Sequence, residues 1–317
     1  MTLEMMRWEA TIDKPVSHDQ LFPVGSESMM SVACLAVTLS LAYADDGAAE
    51  ITTEESIVYS KVGDRELLLD AYRPKTEESR PAVLVVHGGA WRSGNRKQLR
   101  HYATSLTKMG FVCFAIDYRL APEHKFPAQI EDCRAAVRWI RSHASEYGVD
   151  AARLGAIGYS AGGHLVSLLG TTGEPPGDDN GQVDTRLQAV VAGGAPTDFR
   201  WFPDDGDWAE FWMGGNLKAV PEKFKAASTA AFIDKDDAPT FFFNGTKDRL
   251  VPLVWTKPCF DALKAAGVKT ELHTIEGAGH LQAAAHEETL RKAFEFLKRQ
   301  LMAKQANTTS VDQSPSE

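Results

Sequence analysis

Residues 153–164 read Arg153-Leu-Gly-Ala-Ile-Gly-Tyr-Ser-Ala-Gly-Gly-His164, an apolar run that ends in Gly158-Tyr159-Ser160-Ala161-Gly162 and passes into small residues. The run reads as a buried strand and the residues after it as the start of a helix. A serine between two glycines at such a junction sits on a turn so tight that flanking side chains would clash, and Gly158 and Gly162 have none. Ser160 is then expected on strained backbone, its hydroxyl exposed above the sheet as a candidate nucleophile. Five residues are a short pattern, and chance can supply them. The rest of the chain decides.

Outward from this stretch, strands and helices alternate, the mark of an α/β sheet. Upstream, Ser56–Ser60 and Glu66–Tyr72 read as an antiparallel edge hairpin turning at Gly63-Asp64. Pro81–Val86 is a continuous apolar run of the kind buried on both faces. A helical stretch over 95–109, a strand over 111–117 and an amphipathic helix over 127–147 follow. Ile130, Val137, Ile140 and Tyr147 recur on that last helix at helical spacing, and Gly148 ends it. Downstream of the elbow the reading gives a helix at 161–170 and a strand at 189–195. Beyond the aromatic insertion it gives strands at 240–244 and 269–275 and helices near 253–267 and 283–303. The fold class is therefore α/β, a mostly parallel central sheet with helices on both faces and a small lid insertion at about 198–237. One catalytic domain is expected over 45–303.

The hydrophobic share of 44% supports a sizeable core, and a net charge of −9 is the wrong sign for a nucleic-acid footprint. Cys34, Cys113, Cys133 and Cys259 show no metal-ligand spacing and read as free thiols. No metal or cofactor is expected. The glycine clusters at 88–89, 162–163 and 193–194 lack the phosphate-binding spacings. Residues 1–44 form a leader in which 29–44 resemble the apolar core and small-residue cleavage site of a secretory signal. Translation from Met29 or Met30 would account for the missing basic segment. The expectation is export to the periplasm or medium with no stable membrane anchor; the alternative is a cytoplasmic protein in which this stretch is an apolar helix packed on the domain. Residues 304–317 are polar, lack aromatics and are expected to be disordered. The oligomeric state is not legible.

Attack on an ester or amide carbonyl needs a nucleophile, a base, a group that orients the base, and donors for the oxyanion. The base is read as His280 in Gly277-Ala-Gly-His280, and the orienting acid as Asp248 in Asn244-Gly-Thr-Lys-Asp-Arg-Leu-Val-Pro252. Each follows a parallel strand at its carboxyl end, where such sheets place their sites. The chain order serine, aspartate, histidine suits this fold. Asp198 and Glu276 are rivals for the acid, while His286 reads as a surface residue and His273 as packing. His87-Gly88-Gly89-Ala90-Trp91, at the end of the buried strand 81–86, supplies the oxyanion loop. Gly89, Ala90 and Ala161 are the expected N–H donors, with Gly88 as a further candidate. His87 and His164 are read as structural. Trp91, Trp208 and Trp212 are taken as substrate-binding residues; packing of the cap is the first reading of any single lid aromatic, with at least one of Trp201, Trp208, Phe211 and Trp212 expected to face substrate.

Together these segments resemble the hormone-sensitive-lipase-like esterases of the α/β-hydrolase superfamily across most of 45–303. The likeness rests on His87–Trp91, on Asp117-Tyr-Arg-Leu-Ala-Pro-Glu123 with Phe126-Pro-Ala128 and Asp132, on Gly158–His164, and on the Asp248 and His280 segments. Ala90 and Trp91 depart from the group's H-G-G-G and resemble the H-G-G-x-W branch of acetylxylan and feruloyl esterases and kynurenine formamidases. The resemblance implies a cofactor-independent serine hydrolase acting on short-chain, acetyl-type esters of small molecules or carbohydrates. An amidase, a formamidase or an exopeptidase is the alternative on the same fold. The Asp117–Glu123 segment is expected to be structural.

Overall fold

The computed structural model describes residues 50–174, 183–202 and 207–302. The leader 1–44 and the tail 304–317 lie outside the described residues. In chain order the elements are β1 (Ile51–Val62), β2 (Arg65–Pro74), β3 (Arg80–Val86), α1 (Arg100–Lys108), β4 (Val112–Ile116), α2 (Ala128–Ser142), β5 (Val149–Tyr159), α3 (Ala161–Thr171) and β6 (Ala189–Gly193). The lid region contains α4 (Asp207–Trp212) and α5 (Pro221–Ala227). After it come β7 (Thr240–Gly245), α6 (Lys257–Ala265), β8 (Thr270–Ile275), α7 (His280–Ala284) and α8 (Glu287–Leu301).

The eight strands form one sheet in the order β1-β2-β4-β3-β5-β6-β7-β8. The hairpin β1–β2 and the β2–β4 pair are antiparallel, and every other pairing is parallel. The continuous apolar run of β3 follows from its place between β4 and β5. Side chains alternate faces along a strand, so Leu84 and Val86 enter the core on one side and Val83 and Val85 the core on the other. Helices α2, α3 and α6 cover the first face with Val137, Leu165 and Leu263. The second is covered by α1 and α8, with Tyr102, Leu106, Phe294 and Leu297. The fold is that of an α/β hydrolase.

Helix boundaries differ from the sequence reading at four elements: the helix expected over 95–109 spans Arg100–Lys108, that expected over 127–147 ends at Ser142, and two others are divided. The helix expected near 253–267 begins as a separate short turn, Leu253–Trp255, and the α-helix starts at Lys257 with Pro258 in its first turn. A proline there gives up no intrahelical hydrogen bond. The helix expected over 283–303 is two helices, because His286 breaks the run and becomes the N-cap of α8, its side chain accepting the Thr289 N–H.

The lid packs onto the α3 side of the sheet, and Phe199, Trp212 and Phe224 are buried there. At its far end Asp237 accepts the Asp234 N–H, and burial, reinforced by Asp234 and Asp236, pushes its pKa up to about 7. A carboxyl whose folded pKa lies above its unfolded value near 3.8 is favoured in its protonated form. Its contribution to stability is complete below the unfolded pKa and is lost as pH rises toward 7. Asp237→Asn, which keeps an acceptor for Asp234, is therefore expected to raise the melting midpoint at pH 8 by about 2–4 °C, the shift for about 1 kcal/mol in a domain of this size. At pH 4 the two proteins should melt together. An equal difference at both pH values would show that ionisation of Asp237 is not the cause.

Candidate active site

Ser160 stands between β5 and α3 with φ 58° and ψ −122°, a left-handed conformation that few non-glycine residues hold. What enforces it is close packing on every side. Its own N–H donates to the Gly193 carbonyl at 2.8 Å, across to β6. A Cβ on Gly158 would come within 2.4 Å of the Gly162 carbonyl, and one on Gly163 within 2.5 Å of the Gly193 oxygen. The glycines of the motif are thus required by backbone approaching backbone. Ala161 is the first residue of α3, and its N–H is among those that no helical carbonyl can accept.

The loop after β3 lies directly against the elbow. A Cβ on Gly88 would be 2.9 Å from the Tyr159 oxygen and 3.3 Å from Ser160 Cβ. Gly89, Ala90 and Trp91 all have positive φ, and the Gly89 carbonyl accepts the N–H groups of Arg92 and Ser93 at 3.0 Å. No backbone carbonyl of the described residues accepts the N–H of Gly89 or Ala90. His87 is buried and stacked on Tyr118 with ring centroids 4.1 Å apart, and its Nδ1 donates to the Gly88 carbonyl at 2.7 Å. Burial pushes its pKa down to about 4, so the ring is neutral scaffolding at ordinary pH.

His280 opens α7 just past β8, and Asp248 lies just past β7. His280 Nδ1 donates to Asp248 Oδ2 at 2.6 Å, while Asp248 Oδ1 accepts the N–H groups of Leu250 and Val251 at 2.9 and 2.8 Å. The Asp248 side chain is fully buried, and each oxygen has a donor. A Cβ on Gly194, the residue after the carbonyl that holds the Ser160 N–H, would lie 3.1 Å from His280 Cε1. The histidine ring is therefore seated over the same backbone that holds the elbow. Asp198 instead binds Arg200 with both oxygens, at 2.8 and 2.6 Å, and Glu276 is exposed.

Two side chains given no role in the sequence reading, Tyr159 and Arg96, belong to this arrangement, together with His164, which was read as structural. The Tyr159 hydroxyl, pointing back from the elbow, donates to the His280 carbonyl and fixes the backbone of the histidine. Arg96 binds Asp70 and Asp117, each at 2.6 Å, and so ties the loop after Trp91 to β2 and to the end of β4. His164 is bonded to Trp91.

The aromatic residues expected to bind substrate fall in different places. Trp212 corrects the expectation: it is 1% exposed, stacked on Trp91 at 3.7 Å and 7°, with its N–H toward Gln129. Its surface is consumed by packing under the loop. Trp91 is half-buried by the same stack, and Trp208 is half-buried among Phe199, Phe202 and Phe224. The exposed apolar side chains on the triad loops are others. Leu250 (64%) follows Asp248 by two residues, and Leu281 (77%) adjoins His280. Val254 and Trp201 lie on neighbouring turns joined where Thr197 donates to the Trp255 carbonyl. Among the described residues no group of three or more His, Cys, Asp or Glu is placed to hold a metal ion. No described helix is long and apolar enough to cross a membrane.

Comparison with known proteins places the chain in a family. The family profile named BD-FAE matches residues 69–263, which run from β2 through both glycine-rich loops to α6. The chain belongs to the BD-FAE family. It is thus a member of the α/β hydrolases. It is 31% identical to Esterase LipC of Mycobacterium tuberculosis over 67% of this chain and 56% of that one, and 33% identical to the probable carboxylic ester hydrolase LipM of the same organism over 58% and 45%. The chain spans about half the length of these curated relatives. Among solved structures, a truncated carbohydrate esterase from gut microbiota is 25% identical with a TM-score of 0.71, covering 81% of this chain and 99% of that one. Esterase 2 of Thermogutta terrifontis is 29% identical with a TM-score of 0.67, covering 82% and 96%.

Proposed function

We propose that the protein hydrolyses short-chain, acetyl-type carboxylic esters through Ser160, His280 and Asp248, with a carbohydrate or another small alcohol as leaving group. The observation that carries this reading is the Asp248–His280 hydrogen bond, its histidine packed against Gly194, the residue after the carbonyl that holds the Ser160 N–H on strained backbone. Asp248 leaves the ring proton of His280 on Nδ1, so Nε2 is free to accept. As the Ser160 oxygen attacks the carbonyl carbon, His280 Nε2 takes the hydroxyl proton, and negative charge gathers on the carbonyl oxygen. The N–H groups of Gly89, Ala90 and Ala161 receive that charge. Collapse breaks the bond to the alcohol, which leaves with the proton from His280, and an acyl-serine remains. Water then attacks, His280 again takes and returns a proton, and the carboxylic acid is released.

The short-acyl assignment is supported by the stacking of buried Trp212 on half-buried Trp91 at the end of the oxyanion loop, which leaves neither packed ring face to an acyl chain. The carbohydrate assignment is supported by the carbohydrate esterase from gut microbiota, and it accords with reading the leader as an export signal. The test is a series of p-nitrophenyl esters from acetate to decanoate, a matched p-nitroanilide, and peptide mapping after labelling with a phosphonate ester. The expected result is fastest turnover on acetate, much slower cleavage of the anilide, and a phosphonate adduct on Ser160. An active enzyme labelled at another residue would overturn the triad, and a decanoate optimum would overturn the short-acyl assignment.

A further inference from the structure

His164 lies one turn into α3 and is fully buried, yet both of its ring nitrogens are used. The Trp91 indole N–H donates to Nδ1 at 3.1 Å, and Nε2 lies 2.7 Å from the Ala227 carbonyl oxygen. An indole nitrogen can only donate. Nδ1 must therefore be the bare acceptor, and Nε2 must carry its proton toward Ala227. A single neutral tautomer satisfies both partners, and burial keeps the ring in it by holding its pKa near 4.

The two partners come from different parts of the site. Trp91 closes the loop in which Ala90 and Trp91 hold φ of 51° and 58°, a conformation that strains a non-glycine residue. Such backbone persists only where its surroundings over-determine it. Ala227 ends α5, in the lid. The His164 ring also meets Trp91, Trp212 and Phe199 edge-on at 5.4, 5.5 and 4.9 Å. On the same side of α3, Ser167 bonds the Thr229 hydroxyl at 3.0 Å, so the elbow helix is fastened to the lid at two points. A residue needed only to fill this space would require no nitrogen atoms.

We propose that His164 is a positioning residue for the reaction: it fixes the Trp91 indole, and through it the Gly89 and Ala90 N–H groups, against a lid anchored at Ala227. This rests on the reading of Gly89 and Ala90 as oxyanion donors. His164 itself touches no substrate. Negative charge develops on the substrate oxygen only at the transition state, so a displaced donor lowers kcat and leaves ground-state binding nearly intact.

The experiment measures kcat, KM and melting midpoint on p-nitrophenyl acetate for His164→Phe, His164→Asn, Trp91→Phe and Ser160→Ala, and for the two His164 variants in the Trp91→Phe background. Phenylalanine keeps the ring and removes both bonds. Asparagine can return an acceptor oxygen near the place of Nδ1. His164→Phe and Trp91→Phe should each lose about 10–100-fold in kcat, less than the roughly 10²–10³ lost when a donor is deleted outright, with KM within about threefold. His164→Asn should recover about tenfold of the His164→Phe loss, and that recovery should vanish once the indole N–H is gone. Equal kcat in His164→Asn and His164→Phe, or wild-type kcat in Trp91→Phe, overturns the positioning role while leaving the triad intact. Turnover that survives in Ser160→Ala overturns instead the reading on which the role rests. Should His164→Phe not fold, His164→Asn with and without the indole N–H decides the matter in the same way.

Discussion

Asp248→Asn is expected to lower kcat on an acetyl ester by about 10⁴-fold while the melting midpoint stays close to that of the wild type. The asymmetry of the carboxylate explains both halves of this outcome. Oδ1 accepts the N–H groups of Leu250 and Val251, and an asparagine oxygen can do the same, so the turn that carries the residue keeps its hydrogen bonds. The amide nitrogen then falls where Oδ2 stood, 2.6 Å from His280 Nδ1. Two donors cannot share that contact. The histidine must present a bare Nδ1 and move its proton to Nε2, the atom that has to accept the serine proton. The ring stays in place in the wrong tautomer. The measurement is kcat together with the rate of phosphonate labelling, which should fall in parallel because both need the activated Ser160. A variant within tenfold of wild type would mean that another group orients His280. Asp198, the rival in the sequence, is already held by both of its oxygens on Arg200.

The central strands were legible in the sequence because they obey one physical rule. A strand buried on both faces must be apolar without interruption, and Pro81–Val86 and Phe241–Phe243 are. The places of Ser160, Asp248 and His280 in the fold were legible for a related reason: each follows a parallel strand, and the strand register puts those strand ends at one edge of the sheet. What stayed hidden depends on partners remote in sequence. The Tyr159 hydroxyl reaches a carbonyl 121 residues away, and His164 joins residues 73 and 63 positions distant. No local pattern carries such a pairing. The lid failed for another reason: composition shows that aromatic residues are present but not which way they face. Trp212, read as a pocket wall, is packed beneath the loop, while Leu250 and Leu281, ordinary in sequence, stand exposed beside the triad. The break between α7 and α8 has a small local cause, a histidine that caps one helix where periodicity alone would run through it.

Glycine at 162 carries the heaviest steric constraint in the elbow, and Gly162→Ala is expected to damage both stability and turnover. Its added Cβ would sit 2.1 Å from the Val86 carbonyl oxygen and 2.5 Å from that of His87. Both are backbone atoms at the end of β3, a strand paired on each side by β4 and β5, so neither can retreat without disturbing the centre of the sheet. The cost belongs with the severe substitutions, about 4 kcal/mol, which in a domain of this size lowers the melting midpoint by about 8–16 °C. Gly63→Ala is the control. It also has positive φ, 60°, but its Cβ would meet nothing within 4 Å, so only the backbone term of about 1–2 kcal/mol applies. Activity should separate the two still further. Relief of the clash can come only by moving α3 away from the end of β3, and that carries Ser160 and the Ala161 N–H away from Gly89 and Ala90. Protein that remains folded should then lose about 10²–10³ in kcat, as when an oxyanion donor is removed, whereas Gly63→Ala should turn over like wild type. If the two variants melted alike and both kept full turnover, the close approach of loop and elbow could not be what holds the nucleophile against its donors.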